Sequence, residues 1–335
     1  MTGANIPDFR VTLDGQDLTG KLRPRLIGLT LSEKRGDEAD QLDITLDDTD
    51  GRLALPGTGA VLQLHIGWRQ GADVTLGLID KGSFTVDEVE HAGPPDQVTI
   101  RARSADFTSD LRTRREQSWH DTTIGAVIAE IAGRNGLQPR CAAALAAIAL
   151  PALVQSRESD MALMRRLGRE HDAVATIKQG ALIFAPIGAG TTASGAPLPA
   201  LTLRRRDGDR HSYRVEKREE AEGVTASWHD RREAKRKSVT IGKASGAKAL
   251  SHVYASESSA RRAAKTTLQR AERQPVSLSL SLALGRADIY PEQSASVAGF
   301  KAEIDAVKWL VAEVSHTIGN RGFVTGLTLS RLGES

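Results

Sequence analysis

The stretch VLQLHIGW at residues 61–68 decides the fold class, because its apolar residues occupy every second position. Successive side chains of a β-strand point to opposite faces, so this alternation predicts a half-buried strand. The pattern recurs on both sides of the stretch at Phe9/Val11/Leu13, Ile27/Leu29/Leu31, Leu42/Ile44/Leu46, Leu76/Leu78, Phe84/Val86 and Val98/Ile100/Ala102. Turn residues such as Gly36, Gly82 and Pro94-Pro95 separate these runs. Seven short strands at this spacing predict a sandwich or a small barrel in residues 1–107.

The C-terminal part of the chain returns to the same alternation. The alternating runs are Val276–Leu284, Val307–Val311 and Phe323–Leu329, with shorter strand patterns at 213–217, 224–228 and 238–241. A helical pattern from Ser256 to about Glu272 interrupts them. We therefore assign residues 201–335 to a second β domain with a helical insertion at about 241–274. Two β units of similar size indicate a structural duplication.

Residues 108–200, between the β units, have a mixed pattern. Apolar residues at helical spacing predict one helix at 121–133, with Asp121 or Thr122 as its N-cap, and another at about 158–171. Strand patterns at 173–177 and 181–185 predict a β-hairpin around Gly180. The uncharged stretch GAGTTASGAPLP at 188–199 is typical of a linker or an exposed loop. The predicted fold class is mainly β, with an α+β module between two β domains.

Composition places the chain among globular proteins. Its 335 residues are 40% apolar and 26% charged, and its mean hydropathy is −0.30. The longest apolar run, Ala142 to Val154, contains Pro151 and is shorter than the roughly 20 residues of a membrane helix. The first ten residues do not resemble a secretory signal, so we expect the protein to remain in the cytoplasm where it is made. Cys141 is the single cysteine, which excludes an intrachain disulfide.

The net charge of +3 hides an asymmetry along the chain. Residues 1–100 carry 9 Lys/Arg against 17 Asp/Glu, a net −8, and residues 200–274 carry 19 against 10, a net +9. We expect these segments to pair between adjacent copies of the chain and to steer assembly. Nucleic-acid binding is disfavoured, because the basic runs at 204–206 and 231–237 are interleaved with acids and only 13 Phe, Trp and Tyr are available for base stacking.

Motifs that carry chemistry are missing from the sequence. None of the eight histidines stands in a metal-ligand spacing such as HExxH. Neighbours on a strand point apart, so His120-Asp121, His171-Asp172 and His229-Asp230 are poor choices for a base and its orienting acid. The chain contains no nucleophile elbow, P-loop or dinucleotide-binding glycine pattern. Acid pairs such as Asp47-Asp48 and Glu219-Glu220 occur without a predicted cleft. The sequence therefore indicates no catalytic, cofactor-binding or metal-binding residue and no cofactor.

Three stretches together resemble one family. The first stretch runs from Leu55-Pro56 through Val61–Gly67 to Val98–Ala102. The second runs from Trp119 through Asn135-Gly136-Leu137, Gln155, Glu158-Ser159-Asp160, Leu163 and Arg165-Arg166-Leu167 to Gly180-Ala181-Leu182. The third is Val224–Asp230, followed by Val314–Thr317 and Gly326–Leu329. In this order and spacing they are similar to the phage late control D proteins. That family forms the baseplate hub of contractile phage tails and resembles the N-terminal part of type VI secretion spike proteins.

The resemblance implies a structural baseplate hub protein of a contractile phage tail or a related injection device. Each chain would contain two tube-type β-barrel domains, and three chains would place six similar barrels in a ring between a sixfold tail tube and a threefold spike. The implied partners are two further copies in a homotrimer, the tail tube protein, the spike protein and other baseplate proteins, with DNA crossing the channel without sequence-specific binding. The implied location is the virion tail baseplate, assembled in the bacterial host cytoplasm.

The resemblance also implies that Trp119, Trp228, Leu163 and Leu167 are core residues, and that the protein is not an enzyme. Because this chain ends at Ser335, where a secretion spike protein continues into a needle, we expect the spike to be a separate polypeptide. Two alternatives stay open at this point. They are a tail-associated cell-wall hydrolase, which requires a positioned acid and base, and a basic nucleic-acid-binding regulator.

Overall fold

A computed structural model describes residues 4–36, 39–104, 111, 113–178, 180–188, 190, 196–216, 222–230, 233–273 and 276–332. Antiparallel strands form most of its N-terminal unit. The elements are β1 (Ile6–Leu13), β2 (Gln16–Asp17), α1 (Thr19–Leu22), a 3-10 turn (Arg23–Arg25), β3 (Leu26–Lys34), β4 (Gln41–Asp47), β5 (Val61–Gln70), β6 (Gly77–Ala92) and β7 (Gln97–Ser104). The alternation predicted for β5 is observed, since Leu62, Leu64 and Ile66 are at most 2% exposed. Burial of these side chains in a common core stabilises the strand by about 1.5–3 kcal/mol each.

The strands predicted at Leu76/Leu78 and Phe84/Val86 are in fact one long strand, β6, which begins at Gly77 and leaves Leu76 outside it. Its first half pairs with β5 and its second half with β7. Gly82, predicted as a turn residue, lies inside β6 with φ +93°, next to a bulge in the pairing with β5. Glycine adopts this left-handed backbone without a steric penalty, so the chain bends there and the strand continues.

The central unit contains a two-stranded ribbon and a three-stranded sheet. Its elements are β8 (Arg114–Thr123), α2 (Ile124–Arg134), β9 (Gln138–Cys141), α3 (Ala143–Ala146), β10 (Ala149–Ser159), α4 (Asp160–His171), β11 (Ala173–Lys178) and β12 (Ala181–Pro186). β8 pairs with β10, and β12 pairs with both β11 and β9. Both predicted helices and the hairpin are confirmed. α2 begins later than predicted because Asp121 and Thr122 complete β8, and Thr123 caps the helix by accepting from Ala126 N.

The C-terminal region forms two separate sheets. Its elements are β13 (Leu201–Arg204), a 3-10 turn (Arg205–Asp207), β14 (Gly208–Val215), β15 (Gly223–Asp230), β16 (Lys235–Gly242), β17 (Lys248–Tyr254), α5 (Glu257–Arg273), β18 (Val276–Leu282), β19 (Ser294–Ala298), α6 (Ala302–Asp305), β20 (Trp309–Gly319) and β21 (Gly322–Arg331). The sequence placed the strand patterns at 224–228 and 238–241 in the second β domain, but in the structure they belong to a separate sheet. There β15 pairs with β16 and β17, because Val224 and Ala226 bury their side chains against Ala260 and Ala264 of α5. The inserted unit therefore begins before residue 241.

The two large β units are joined edge to edge in one continuous sheet. β3 pairs antiparallel with β20 from Gly28↔Gly319 to Lys34↔Glu313. Across this junction the Trp68 indole Nε1 donates to the Gly285 carbonyl at 2.8 Å, and the Trp68 ring lies 5.4 Å from that of Phe323. Phe323 packs into the core of the N-terminal unit although it belongs to the C-terminal one. The structure is therefore mostly β, with the two units sharing backbone hydrogen bonds and core residues.

Two assignments made from the sequence fall partly outside the described residues. The boundary between residues 107 and 108 lies outside them, and so do residue 189 and residues 191–195 of the predicted linker. In the described part of that linker, Leu198 N donates to Gly190 O at 2.8 Å. This end of the segment is therefore anchored to its own beginning.

Candidate functional site: a buried charge cluster where three units meet

A buried ion pair lies at the junction of the β units. Lys81 Nζ of β6 is 2.7 Å from Glu33 Oε2 of β3, and the two side chains are 0% and 4% exposed. Lys81 Nζ also donates to the Ala287 carbonyl at 3.1 Å and lies 3.8 Å from the centroid of the Tyr290 ring. Ala287 and Tyr290 belong to the loop before β19, so this one ammonium group connects the N-terminal unit to the C-terminal unit by a hydrogen bond and a cation–π contact.

Local strand geometry explains why these two charges point inward. Glu33 occupies the next inward position on β3 after Leu29 and Leu31, so the alternation itself places its carboxylate in the core. Lys81 is the extra residue of the β6 bulge, since Leu64 pairs with Gly82 and His65 pairs with Asp80. The bulge adds one residue to the period of two, so Lys81 points inward as Phe84 and Val86 do. Sequence reasoning missed Lys81, although a lysine before a glycine inside an alternating run is the pattern that marks it.

His316 of β20 completes the contacts to Glu33 from the C-terminal side. Its ring is fully buried, with Nε2 3.4 Å from Glu33 Oε2 and Nδ1 3.0 Å from Thr325 Oγ1. Thr325 Oγ1 accepts a hydrogen bond from Arg286 N at 2.9 Å, which leaves its own hydrogen free to donate to Nδ1. The hydrogen bond to Thr325 orients the ring so that Nε2 faces the Glu33 carboxylate. Burial lowers the pKa of His316, so the ring is neutral near pH 7.

The central unit reaches the same cluster through Lys178 at the end of β11. Lys178 Nζ lies 3.7 Å from Glu33 Oε1 and 3.2 Å from Asp40 Oδ2. Burial acts to lower the pKa of Lys178, but the carboxylates of Asp40 and Glu33 outweigh it and hold that pKa above its ordinary value. Two carboxylates and two ammonium groups, from the N-terminal and central units, therefore balance each other in the cluster. His316 adds a contact from the C-terminal unit.

The electrostatics of the cluster centre on Glu33. Burial acts to raise the pKa of this carboxyl, but Lys81, His316 and Lys178 together outweigh burial and lower the pKa from 4.5 to about 2. Lys81 has one close carboxylate of its own, so burial dominates there and lowers its pKa. Burial also raises the pKa of Asp40, with repulsion from Glu33 adding to it against the attraction of Lys178. Glu33 is therefore the most strongly stabilised charge of the group.

The cluster borders a cavity of about 380 Å³ that Glu33, Lys81, Lys178 and Tyr290 line together with residues of β11 and β12. At one end of it the Arg35 guanidinium forms an ion pair with Glu292 and donates to Ser330 Oγ at 3.2 Å. The charged groups of the cluster pair with one another, and the Lys178 side chain remains 31% exposed. These contacts tie side chains of the three units to one another.

A second polar network stabilises the central unit from within. The fully buried Asp160 carboxylate accepts from Arg134 Nε at 2.9 Å and Nη2 at 2.7 Å, and also from Asn135 Nδ2 and Gln155 Nε2, each at 2.9 Å. Asp160 is the first residue of α4, so the positive end of the helix adds to these bonds. Trp119, Leu163 and Leu167 lie in the apolar core beside it, as the resemblance implied. Trp228, implied to be a core residue as well, is only partly buried and packs against the core between β15 and α5.

The His–Asp neighbours noted in the sequence do not form a common site. His171 is 9% exposed and its Nδ1 has no hydrogen-bond partner, and burial together with Arg262 lowers its pKa to about 4. No group of three or more His, Cys, Asp or Glu side chains suited to a metal ion occurs in the part of the chain that the structure describes. Burial raises the pKa of the Cys141 thiol to about 11. In the described helices, no segment combines the length and apolar character of a membrane span.

The basic segment is partly neutralised within the chain. Lys237 Nζ lies 2.8 Å from Asp230 Oδ2 and 2.6 Å from Glu233 Oε1. Arg236 donates to the Ser227 hydroxyl at 3.3 Å. Arg231, Arg232, Glu219 and Glu220 lie outside the described residues. At Lys237, the charge that we expected to pair with a neighbouring copy of the chain has partners of its own.

Comparisons with known proteins give the family. A family model described as phage tail baseplate hub (GPD) matches residues 40–322. A probable baseplate hub protein of Escherichia phage 186 is 43% identical, over 96% of this chain and 92% of that protein. The 43 kDa tail protein of prophage MuSo2 from Shewanella oneidensis has the same fold, with a TM-score of 0.71 at 12% identity and coverage of 96% of this chain and 98% of that one.

A further similar structure is the c3393 protein of E. coli, a type VI secretion system component with structural similarity to the phage T4 tail proteins gp27 and gp5. It aligns with a TM-score of 0.52 at 14% identity, over 93% of this chain and 74% of its own. These matches agree with the mostly β fold and with the resemblance noted from the sequence. The chain belongs to the phage tail baseplate hub (GPD) family and is a structural baseplate hub protein of a phage tail.

Proposed function

We propose that three copies of this chain form a ring that joins a sixfold tail tube to a threefold spike. The observation that carries this proposal is the edge-to-edge pairing of β3 with β20, which unites two β units of similar size in each chain. A ring of three such chains contains six β units, which matches a sixfold partner on one side and keeps true threefold symmetry for the other.

In this proposal the two β units are tube-type barrels at residues 1–107 and 201–335. The α+β module at 108–200 and the inserted unit around α5 lie outside the ring. The buried cluster of Glu33, Lys81, Lys178 and His316 supports this division of labour, because it links both β units to the central unit and leaves little freedom between them. A hub that transmits force from tube to spike needs such a rigid connection.

Contacts between neighbouring chains would use open sheet edges. Among the described strands, β14 pairs with β18 alone, so its outer backbone groups are available to a further strand. Val215 on this strand is 60% exposed. A strand added from the next subunit would hydrogen-bond the free backbone groups of β14 and cover the Val215 side chain. It would also bury an interface of the size typical of permanent assemblies.

The further parts of the proposal concern partners, place and chemistry. The hub would contact the tail tube protein, the spike protein and other baseplate proteins, would assemble in the bacterial host cytoplasm, and would let DNA pass without reading its sequence. It would act by assembly and not by turnover, since the charged groups of the cluster bind one another. A peptidoglycan zymogram and salt-dependent retention on DNA test the hydrolase and the regulator alternatives directly.

Electron microscopy of the hub co-expressed with its candidate spike protein tests the proposal. The expected class averages show a threefold particle with six similar lobes around a central channel. Single chains, or a ring with a number of lobes other than six, would contradict it.

A further inference from the structure

A second cavity, of about 480 Å³, lies between α4, β11 and the strands β18 and β21. Four arginines line it: Arg35, Arg165, Arg169 and Arg270. Among the described residues no acidic side chain lines this cavity. The opposite wall carries the hydroxyl groups of Ser277, Thr328 and Ser330. The polar side chains of the cavity are therefore all hydrogen-bond donors, most of them cationic, and they stand among apolar residues such as Val174, Ile187 and Val276.

Two of the four arginines have carboxylate partners beside the cavity and two do not. Arg35 pairs with Glu292, and Arg270 Nε lies 3.5 Å from Asp172 Oδ1. Neither Arg165 nor Arg169 has a carboxylate within ion-pair distance in the described part of the chain. The Nε of Arg165 is inaccessible to solvent and has no hydrogen-bond partner. A guanidinium N–H that solvent does not reach is costly to leave without an acceptor, so an anion bound beside Arg165 would gain this hydrogen bond.

The positions of the two arginines strengthen this argument. Arg165 and Arg169 lie one helical turn apart on α4, where like charges repel each other. An anion between them converts that repulsion into attraction to both. Their neighbour Arg166 differs, since its guanidinium bonds Glu158 at 2.5 Å and the Val154 carbonyl at 2.7 Å.

We propose that this cavity binds a phosphate group. Two unpaired guanidinium groups match the charge of nearly −2 that a phosphate monoester carries near pH 7, whereas a carboxylate supplies one charge. Donors on two facing walls also suit a tetrahedral oxyanion, whose oxygens point in several directions. The phosphate comes from one of two sources, a small free phosphate compound or the backbone of a nucleic acid strand.

Isothermal titration of the full-length protein with three probes tests the proposal: pyrophosphate, a single-stranded 20-nucleotide oligo-dT, and the tricarboxylate tricarballylate. We expect one pyrophosphate per chain with a dissociation constant below about 1 mM. The R165Q/R169Q variant should bind at least about tenfold more weakly, because it lacks both charge-assisted donors. The matched control is R157Q, since Arg157 is 86% exposed and lies outside the cavity.

The single variant R169Q keeps the test valid if the double variant does not fold, because Arg169 is exposed and its replacement disturbs no packing. It should weaken pyrophosphate binding by about threefold or more. If the oligonucleotide binds more tightly than pyrophosphate and the same variants lose this binding, the source is a nucleic acid. If pyrophosphate alone binds, the source is a small phosphate compound. Three results overturn the proposal: no binding of either phosphate probe, equal binding by R169Q and R157Q, or tricarballylate binding as tight as that of pyrophosphate.

Discussion

Replacement of Lys81 by methionine should destabilise the protein far more than the same substitution at an exposed lysine. Methionine fills most of the space of the lysine side chain but removes the ammonium group. Glu33 then remains buried with Lys178 at 3.7 Å and His316 at 3.4 Å as its remaining partners. The variant also loses the hydrogen bond to the Ala287 carbonyl and the cation–π contact with Tyr290.

The size of the effect follows from the state of Glu33. Its pKa is lowered from 4.5 to about 2, so the folded protein favours the ionised carboxylate by about 3 kcal/mol, and Lys81 supplies the largest share of the attraction. Removal of one partner from a buried ion pair costs about 3–5 kcal/mol in general. Because two weaker partners of Glu33 remain, we expect K81M to lower the free energy of unfolding by about 3 kcal/mol.

Urea unfolding followed by tryptophan fluorescence measures this loss, since Trp68 and Trp309 are buried in the two β cores. The matched control is K243M, because Lys243 pairs with Glu222 at 2.9 Å but is 70% exposed, and its loss should cost less than about 1 kcal/mol. The double variant E33Q/K81M should recover part of the stability lost in K81M, because it leaves no buried carboxylate without its main partner. If K81M and K243M were equally stable, the electrostatic argument for the cluster would be wrong.

Three further predictions concern the other buried groups. The lowered pKa of His171 means that stability is lost as pH falls from 6.5 to about 4, because the unfolded state takes up a proton there before the folded state does. The H171Q variant should therefore show a smaller change of the thermal unfolding midpoint with pH in this range, and an unchanged slope would contradict the reasoning. D160N should lower the free energy of unfolding, measured with urea, by about 3 kcal/mol, since an amide has one oxygen and cannot accept both hydrogen bonds from Arg134. A loss below about 1 kcal/mol would refute this. W68F leaves the Gly285 carbonyl without its donor and should cost about 2 kcal/mol by the same measurement, whereas a neutral result would show that the junction does not depend on this bond.

The sequence predicted those strands whose two faces differ in polarity. Residues 61–68 alternate because one face of β5 is buried and the other is partly exposed, and the same holds for β3, β4 and β7. The ribbon of β8 and β10 was missed, since two of the inward positions of β8 carry the polar residues Arg115 and Gln117, so burial alternates there but polarity does not. When polar residues occupy the inward positions, a strand leaves little trace in the residue pattern.

The candidate site was harder to predict, because its members are far apart in the chain. Glu33, Lys81, Lys178 and His316 come together through the β6 bulge and the β3–β20 pairing, and local periodicity does not encode this pairing. The β15–β16 pair was placed in the wrong sheet for a similar reason. A strand pattern predicts that a strand forms but does not identify its neighbour, which depends on the apolar face of α5.

The mass of the protein in solution tests the central claim most directly. Light scattering should be measured on the full-length chain alone and on the chain co-expressed with its candidate spike protein. The account predicts a particle that contains three hub chains in at least one of these samples. A strict monomer in both samples, with no complex formed, would contradict it.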